Sequence, residues 1–133
     1  MKLVLDTHAL IWAFQLSPKL GPRARTLLED TAPVDCGVSD VSLSEVARLI
    51  VDRRLKLAAG MTGEVYLSAL AAHAAVLPVT PRIAWRAASL AWSQKDPCDR
   101  HILATALEYG LPMLTADGSI TRAASVLGLK VIW

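Results

Sequence analysis

Apolar residues run along this chain in two rhythms. Short unbroken apolar runs alternate with stretches in which apolar positions return every three or four residues, the patterns of buried strands and amphipathic helices. Lys2–Leu5 predicts a short buried strand ending at Asp6. Thr7–Gln15 follows with Leu10, Ile11 and Phe14 at helical spacing, and Ser17-Pro18 breaks it. Pro22–Asp30 sets Ala24, Leu27 and Leu28 on one face and Arg23 and Arg25 on the other, a second helix, and Val34–Val38 predicts a weak strand. Ser42–Arg53 predicts a helix whose Ser42-x-x-Glu45 opening matches a capping box. Its basic end, Arg53-Arg54-Leu55-Lys56, suits a helix C-terminus.

The next helix, Thr62–Ala75, is apolar nearly all round with Glu64 its only acid, a pattern of a helix deep in a core or covered by a partner, and in so small a domain it points to a partner. Val76–Val79 predicts a strand and Arg82–Trp92 a helix that puts Trp85 and Trp92 on one face, for the core or for a partner groove. Asp99–Tyr109 predicts a helix opened by Asp99 and stopped at Gly110. Pro112–Thr115, Ile120–Leu127 and Lys130–Trp133 complete the series as strand, helix and strand. Strands alternating with helices imply an α/β class with a parallel sheet covered on both faces.

Composition narrows this further. The 133 residues suit one domain spanning 1–133, and a 53% hydrophobic content supplies its core. A net charge of +2 is compatible with a polyanionic partner without requiring one. Two cysteines, Cys36 and Cys98, make neither a disulfide framework nor a four-ligand zinc site. His8, His73 and His101 lack zinc-ligand spacing. The apolar run after Lys2 stops at Asp6, leaving no secretory or membrane-spanning segment. A cytoplasmic protein with no membrane contact is the expectation.

The candidate chemistry lies in acids. Asp6, Glu45, Asp99 and Asp117 each fall at the start of a helix or just after a strand, and all strands of a parallel sheet end on one edge. Each also has an ordinary reading: Asp6 and Asp99 as helix caps, Glu45 as the partner of Ser42, and Asp117 with Gly118 as a turn pair. A cluster of acids stays ionised only with positive charge among it. Mg²⁺ or Mn²⁺, which prefer carboxylate oxygen, is the natural counter-ion, and such a site could cleave a phosphodiester with metal-activated water. A haloacid-dehalogenase-type phosphatase would want a second aspartate where His8 stands, and the paired acids of a response-regulator receiver are missing.

LVLDTHALIW at Leu3–Trp12, SLSEVA at Ser42–Ala47, DPCDRHILATAL at Asp96–Leu107 and LTADGSI at Leu114–Ile120, with weaker segments RLKL at Arg54–Leu57 and LPVTPRIAWRAA at Leu77–Ala88, resemble PIN-domain ribonucleases of the VapC type. These are the toxin halves of toxin–antitoxin pairs. The resemblance implies a three-layer α/β/α sandwich with a central parallel sheet. It also implies an acidic metal site at Asp6, Glu45, Asp99 and Asp117, and second-shell or substrate-side roles for Thr7, Asp96, Arg100 and Thr115. Between Asp96 and Asp99 as third acid, Asp99 is the choice. Cys98 replaces an expected aromatic, Gln94 an expected histidine and Ser44 an expected tryptophan, departures that touch substrate preference and partner contacts and leave every carboxylate in place. The expected function is a metal-dependent endoribonuclease with an RNA substrate, a cognate antitoxin and a homodimer partner. A PIN-like nuclease acting without an antitoxin, or a non-catalytic RNA-binding or scaffold module, are the alternatives.

Overall fold

The computed structural model describes all of Met1–Trp133. Five short strands, β1 (Leu3–Leu5), β2 (Cys36–Ser39), β3 (Ala75–Leu77), β4 (Met113–Leu114) and β5 (Val131–Ile132), form one sheet in the order β3-β2-β1-β4-β5. Every pairing is parallel, with Val4 opposite Gly37 on one side and Met113 on the other. Alternate residues of a strand point to opposite faces. In β1 this sends Leu3 and Leu5 into one apolar cluster and Val4 into another.

Seven helices cover the two faces. The Leu3/Leu5 face packs against α1 (Thr7–Phe14), α2 (Pro22–Glu29), α3 (Val41–Val51) and α4 (Gly63–Ala71) through Leu10, Ala24, Val46 and Leu70. The Val4 face packs against α6 (Pro97–Tyr109) and α7 (Gly118–Val126) through Ile102, Leu103, Ile120 and Ala124. Ile83 and Ala87 of α5 (Pro81–Ser89) close on Ala104 of α6. The result is the three-layer α/β/α sandwich expected for the family.

Several boundaries differ from the sequence reading, each for a physical reason. Helix α4 ends at Ala71, because Ala75–Leu77 are drawn out to pair with Gly37–Ser39. Its apolar surface is partly intramolecular, since Tyr66 and Leu70 are buried in the core while Val65 is exposed. Helix α5 stops at Ser89, so Trp92 lies beyond it. Trp85 is 76% exposed while Trp92 packs under the second cluster, so the two do not share a helix face. Helix α6 begins at Pro97, where the missing N–H of proline costs nothing, and its N-cap is Asp96, not Asp99. Gly110 closes that helix at φ 63°, a left-handed position natural to glycine. Cys36 and Cys98 are both free thiols, and no helix is long and apolar enough to cross a membrane.

Candidate active site

The chain builds β1, β2 and β3 outward in one direction and then crosses to lay β4 and β5 on the other side of β1. Connections therefore leave β1 and β4 in opposite directions, which opens a crevice at their carboxyl ends. A cleft of about 500 Å³ lies there, and Asp6, Glu45, Asp96, Asp99 and Asp117 all line it. Residues far apart in sequence meet because strand ends share an edge.

Asp6 follows β1 and is 6% exposed. One carboxylate oxygen accepts the Ala9 N–H of α1 at 2.7 Å, and the other accepts a short hydrogen bond from the Thr115 hydroxyl. It is thus a helix cap and a wall of the cleft at once. Burial pushes its pKa up, against the lowering effect of Thr115, the Ala9 N–H and His8. Thr115, buried after β4, also accepts the Asp117 N–H at 3.0 Å, tying two acids to one hydroxyl. Asp117 in turn caps α7 by accepting the Ile120 N–H at 2.9 Å.

Glu45 is not a capping-box partner. The N-cap of helix α3 is Asp40, two residues before the Ser42 that the motif suggests. The Asp40 carboxylate accepts the Val79 N–H, and Ser42 accepts a hydrogen bond from the Thr7 hydroxyl. Glu45 is left pointing at the cleft, with its Oε2 buried and without a hydrogen-bond partner. Burial, Asp96 and Asp6 raise its pKa, while His8 and the neighbouring Thr7 hydroxyl pull it down.

Asp99, in the first turn of α6, is half-buried and has its pKa raised to about 6, first by burial and then by Asp96, Glu45, Asp117 and Asp6. Asp96 is exposed at the rim, its carboxylate taken up by the Cys98 N–H at 2.9 Å. The Cys98 thiol is pushed up to about 11 by burial and by Glu45 and Asp96.

Arg100 does not reach the cleft. Its guanidinium donates to the carbonyls of Ala87, Leu90, Trp92 and Gln94 at 2.7–2.8 Å. It therefore fastens the end of α5 and the connector to α6, and so the stretch that presents Asp96. Trp12, which the sequence suggested as a partner contact, and Arg54, one of several basic residues it suggested for phosphate, both line the same cleft. Only the placement of α1 and of the turn after α3 brings them to it.

The arrangement suits a hard divalent cation. Its donors are carboxylate oxygens, one of them buried with nothing to bond, and burial together with their mutual repulsion raises carboxyl pKa values that a cation would bring down. No three His, Cys, Asp or Glu side chains close around a single point as a finished ligand cage. The cleft is walled by acids and open to what they would hold.

A parallel α/β/α domain with an acidic cleft at its switch point defines the class. A family model described as PIN domain matches residues 3–126. The chain is 32% identical over 116 residues to ribonuclease VapC22 of Mycobacterium tuberculosis, covering 86% of each protein. Among solved structures, it superposes on the DNA-bound VapBC of Salmonella typhimurium with TM-score 0.72 at 17% identity, covering 99% of this chain and 97% of that one. A toxin–antitoxin complex from Klebsiella pneumoniae aligns with TM-score 0.67 at 22% identity, over 99% and 97% of the two chains. The chain belongs to the PIN-domain family, with a VapC ribonuclease as its curated relative.

Proposed function

We propose that this protein is a divalent-cation-dependent endoribonuclease of the VapC type, the toxin of a toxin–antitoxin pair, which hydrolyses RNA phosphodiesters at Asp6, Glu45, Asp99 and Asp117. The observation that carries the reading is the partnerless Glu45 Oε2 inside a carboxylate-lined switch-point cleft. The curated ribonuclease relative supports RNA as the substrate, and the toxin–antitoxin neighbour supports an antitoxin partner. A cytoplasmic location and a homodimer belong to the same proposal.

In this reading Asp6, Glu45, Asp99 and Asp117 hold Mg²⁺ or Mn²⁺. When bound, such an ion would supply positive charge facing the scissile phosphate and lower the pKa of water. The chain's own residues do the positioning. Ala9 N–H and Thr115 fix the Asp6 carboxylate between them, and Thr115 carries that constraint to the backbone of Asp117. Thr7, tied to Ser42, borders Glu45. Asp96 stands at the rim on the substrate side, and Arg100 holds the connector that carries it.

The test is cleavage of defined tRNA, rRNA and mRNA fragments by purified protein with Mg²⁺, with Mn²⁺ and with EDTA. Cleavage should require the cation and vanish in Asp6→Asn, which keeps an N-cap side chain and hence the fold. Undiminished cleavage by that variant would refute the reading.

A further inference from the structure

A cleft walled by five carboxylates repels the polyanion it is proposed to cut, and Arg54 is the only lysine or arginine that lines it. A divalent cation held by the acids would draw in the scissile phosphate, and the flanking strand then needs a hold that does not depend on charge. A nucleobase face carries no net charge and binds aromatic surface irrespective of the acids, with affinity that tolerates sequence. Trp12 offers such a surface beside Asp6. It lines the cleft, is half-buried, and has His8, exposed and also lining the cleft, with its ring centroid 5.6 Å away at a 54° tilt. Behind it Trp133 lies 5.7 Å away at 58°. Because both neighbours are tilted, neither stacks flat on the indole. Trp133 is in turn backed by Gly21, where an added Cβ would come within 2.9 Å of its ring.

We infer that Trp12 and His8, with Arg54 of the same cleft, form a subsite that stacks one unpaired nucleobase and pairs with an adjoining phosphate of the strand being cut. Lys19 Nζ lies over the Trp12 ring, 5.9 Å from its centroid, without lining the cleft. Paired bases hide their faces inside a helix, so the ligand is a single-stranded or looped segment. The inference rests on the RNA-cleaving reading and adds where the strand lies.

The experiment uses fluorescein-labelled 12-nucleotide single-stranded RNA of mixed sequence and an abasic strand of the same length, titrated with full-length protein in an Asp6→Asn background with Mg²⁺. Adding Trp12→Ala should weaken RNA binding ~10-fold and abasic-strand binding by less than ~2-fold, with Trp12→Phe restoring most of the difference. His8→Ala, a change at an exposed position that leaves the core intact, should weaken RNA binding ~3-fold and serves if Trp12→Ala unfolds. Arg54→Ala should weaken both strands alike and flatten the salt dependence. Equal losses on both strands for the aromatic variants, or RNA affinity unchanged in both, would overturn the inference. RNA affinity unchanged with a shift in oligomeric state would assign the ring to protein contact instead. Metal-dependent cleavage by the parent protein, measured alongside, separates the outcomes: cleavage present with these losses absent refutes only the subsite, and cleavage absent refutes the reading beneath it.

Discussion

Replacing Arg100 with alanine is the sharpest test of what that residue does. Its guanidinium makes four hydrogen bonds of 2.7–2.8 Å to main-chain carbonyls between Ala87 and Gln94, and a longer one to Ala88. Hydrogen bonds from a charged donor contribute roughly 1.5–3 kcal/mol each in net terms. Their plain sum overstates the effect, because Arg100 is half-exposed and water can reach several of the freed carbonyls. About 3 kcal/mol is the expected loss, at the upper end of ordinary single substitutions. For a domain of this size that is about 10 °C in Tm. Arg100→Lys should lose about half as much, since one ammonium cannot span carbonyls that a planar fork holds together. Urea and thermal unfolding, followed by circular dichroism, would measure both. A loss below ~1 kcal/mol together with a raised KM for RNA would refute the structural role and return the guanidinium to the substrate side.

Glu45→Gln removes a partly buried charge whose Oε2 has no hydrogen-bond partner, so in EDTA it should raise stability by about 1 kcal/mol while abolishing stabilisation by Mg²⁺. A thermal-shift series with and without the ion checks both effects. Asp99 has a folded-state pKa of about 6 against an ordinary 3.8, so protonation favours the folded chain. That contribution is fully present below pH ~4 and lost as pH rises through ~6, amounting to about 1 kcal/mol once solvent screening of a half-exposed group is allowed for. In EDTA, Asp99→Asn should therefore gain stability relative to the parent between pH 4 and pH 7, and a constant difference in unfolding free energy would contradict this. The Cys98 thiol, pushed up to about 11, should react with iodoacetamide at pH 8 ~20-fold more slowly than an unhindered cysteine. Glu45→Gln should speed that reaction, as followed by mass spectrometry.

The alternation of apolar rhythms was sufficient for the fold class, because a parallel sheet under helices is what short buried strands and amphipathic helices jointly require. The element ends were less legible. Ala71–Ala75 favours helix by local propensity, and only the pairing of Ala75 with Gly37 draws its end into a strand. Pro97 reads as a break from either side, yet it is the first residue of α6.

The candidate site divides in the same way. That Asp6 and Asp117 follow strands is written in the residues around them, and the strand-end rule already puts them on one edge. Glu45 was ambiguous because a capping box and an active-site acid have the same local sequence. Tertiary contacts resolve it, since α3 starts at Val41 with the Asp40 carboxylate bound to the Val79 N–H, Thr7 engages Ser42, and Glu45 Oε2 is left without a partner. Arg100 adjoins an acid of the cleft in sequence but bonds backbone up to 13 residues away, a relation that no spacing encodes. The sequence by itself determined the layers, the parallel sheet and the types of residue available for chemistry, because these depend on period and composition. Tertiary structure decided which side chains share the cleft and which are taken up in holding it, because that depends on strand order and on competition for each buried polar group.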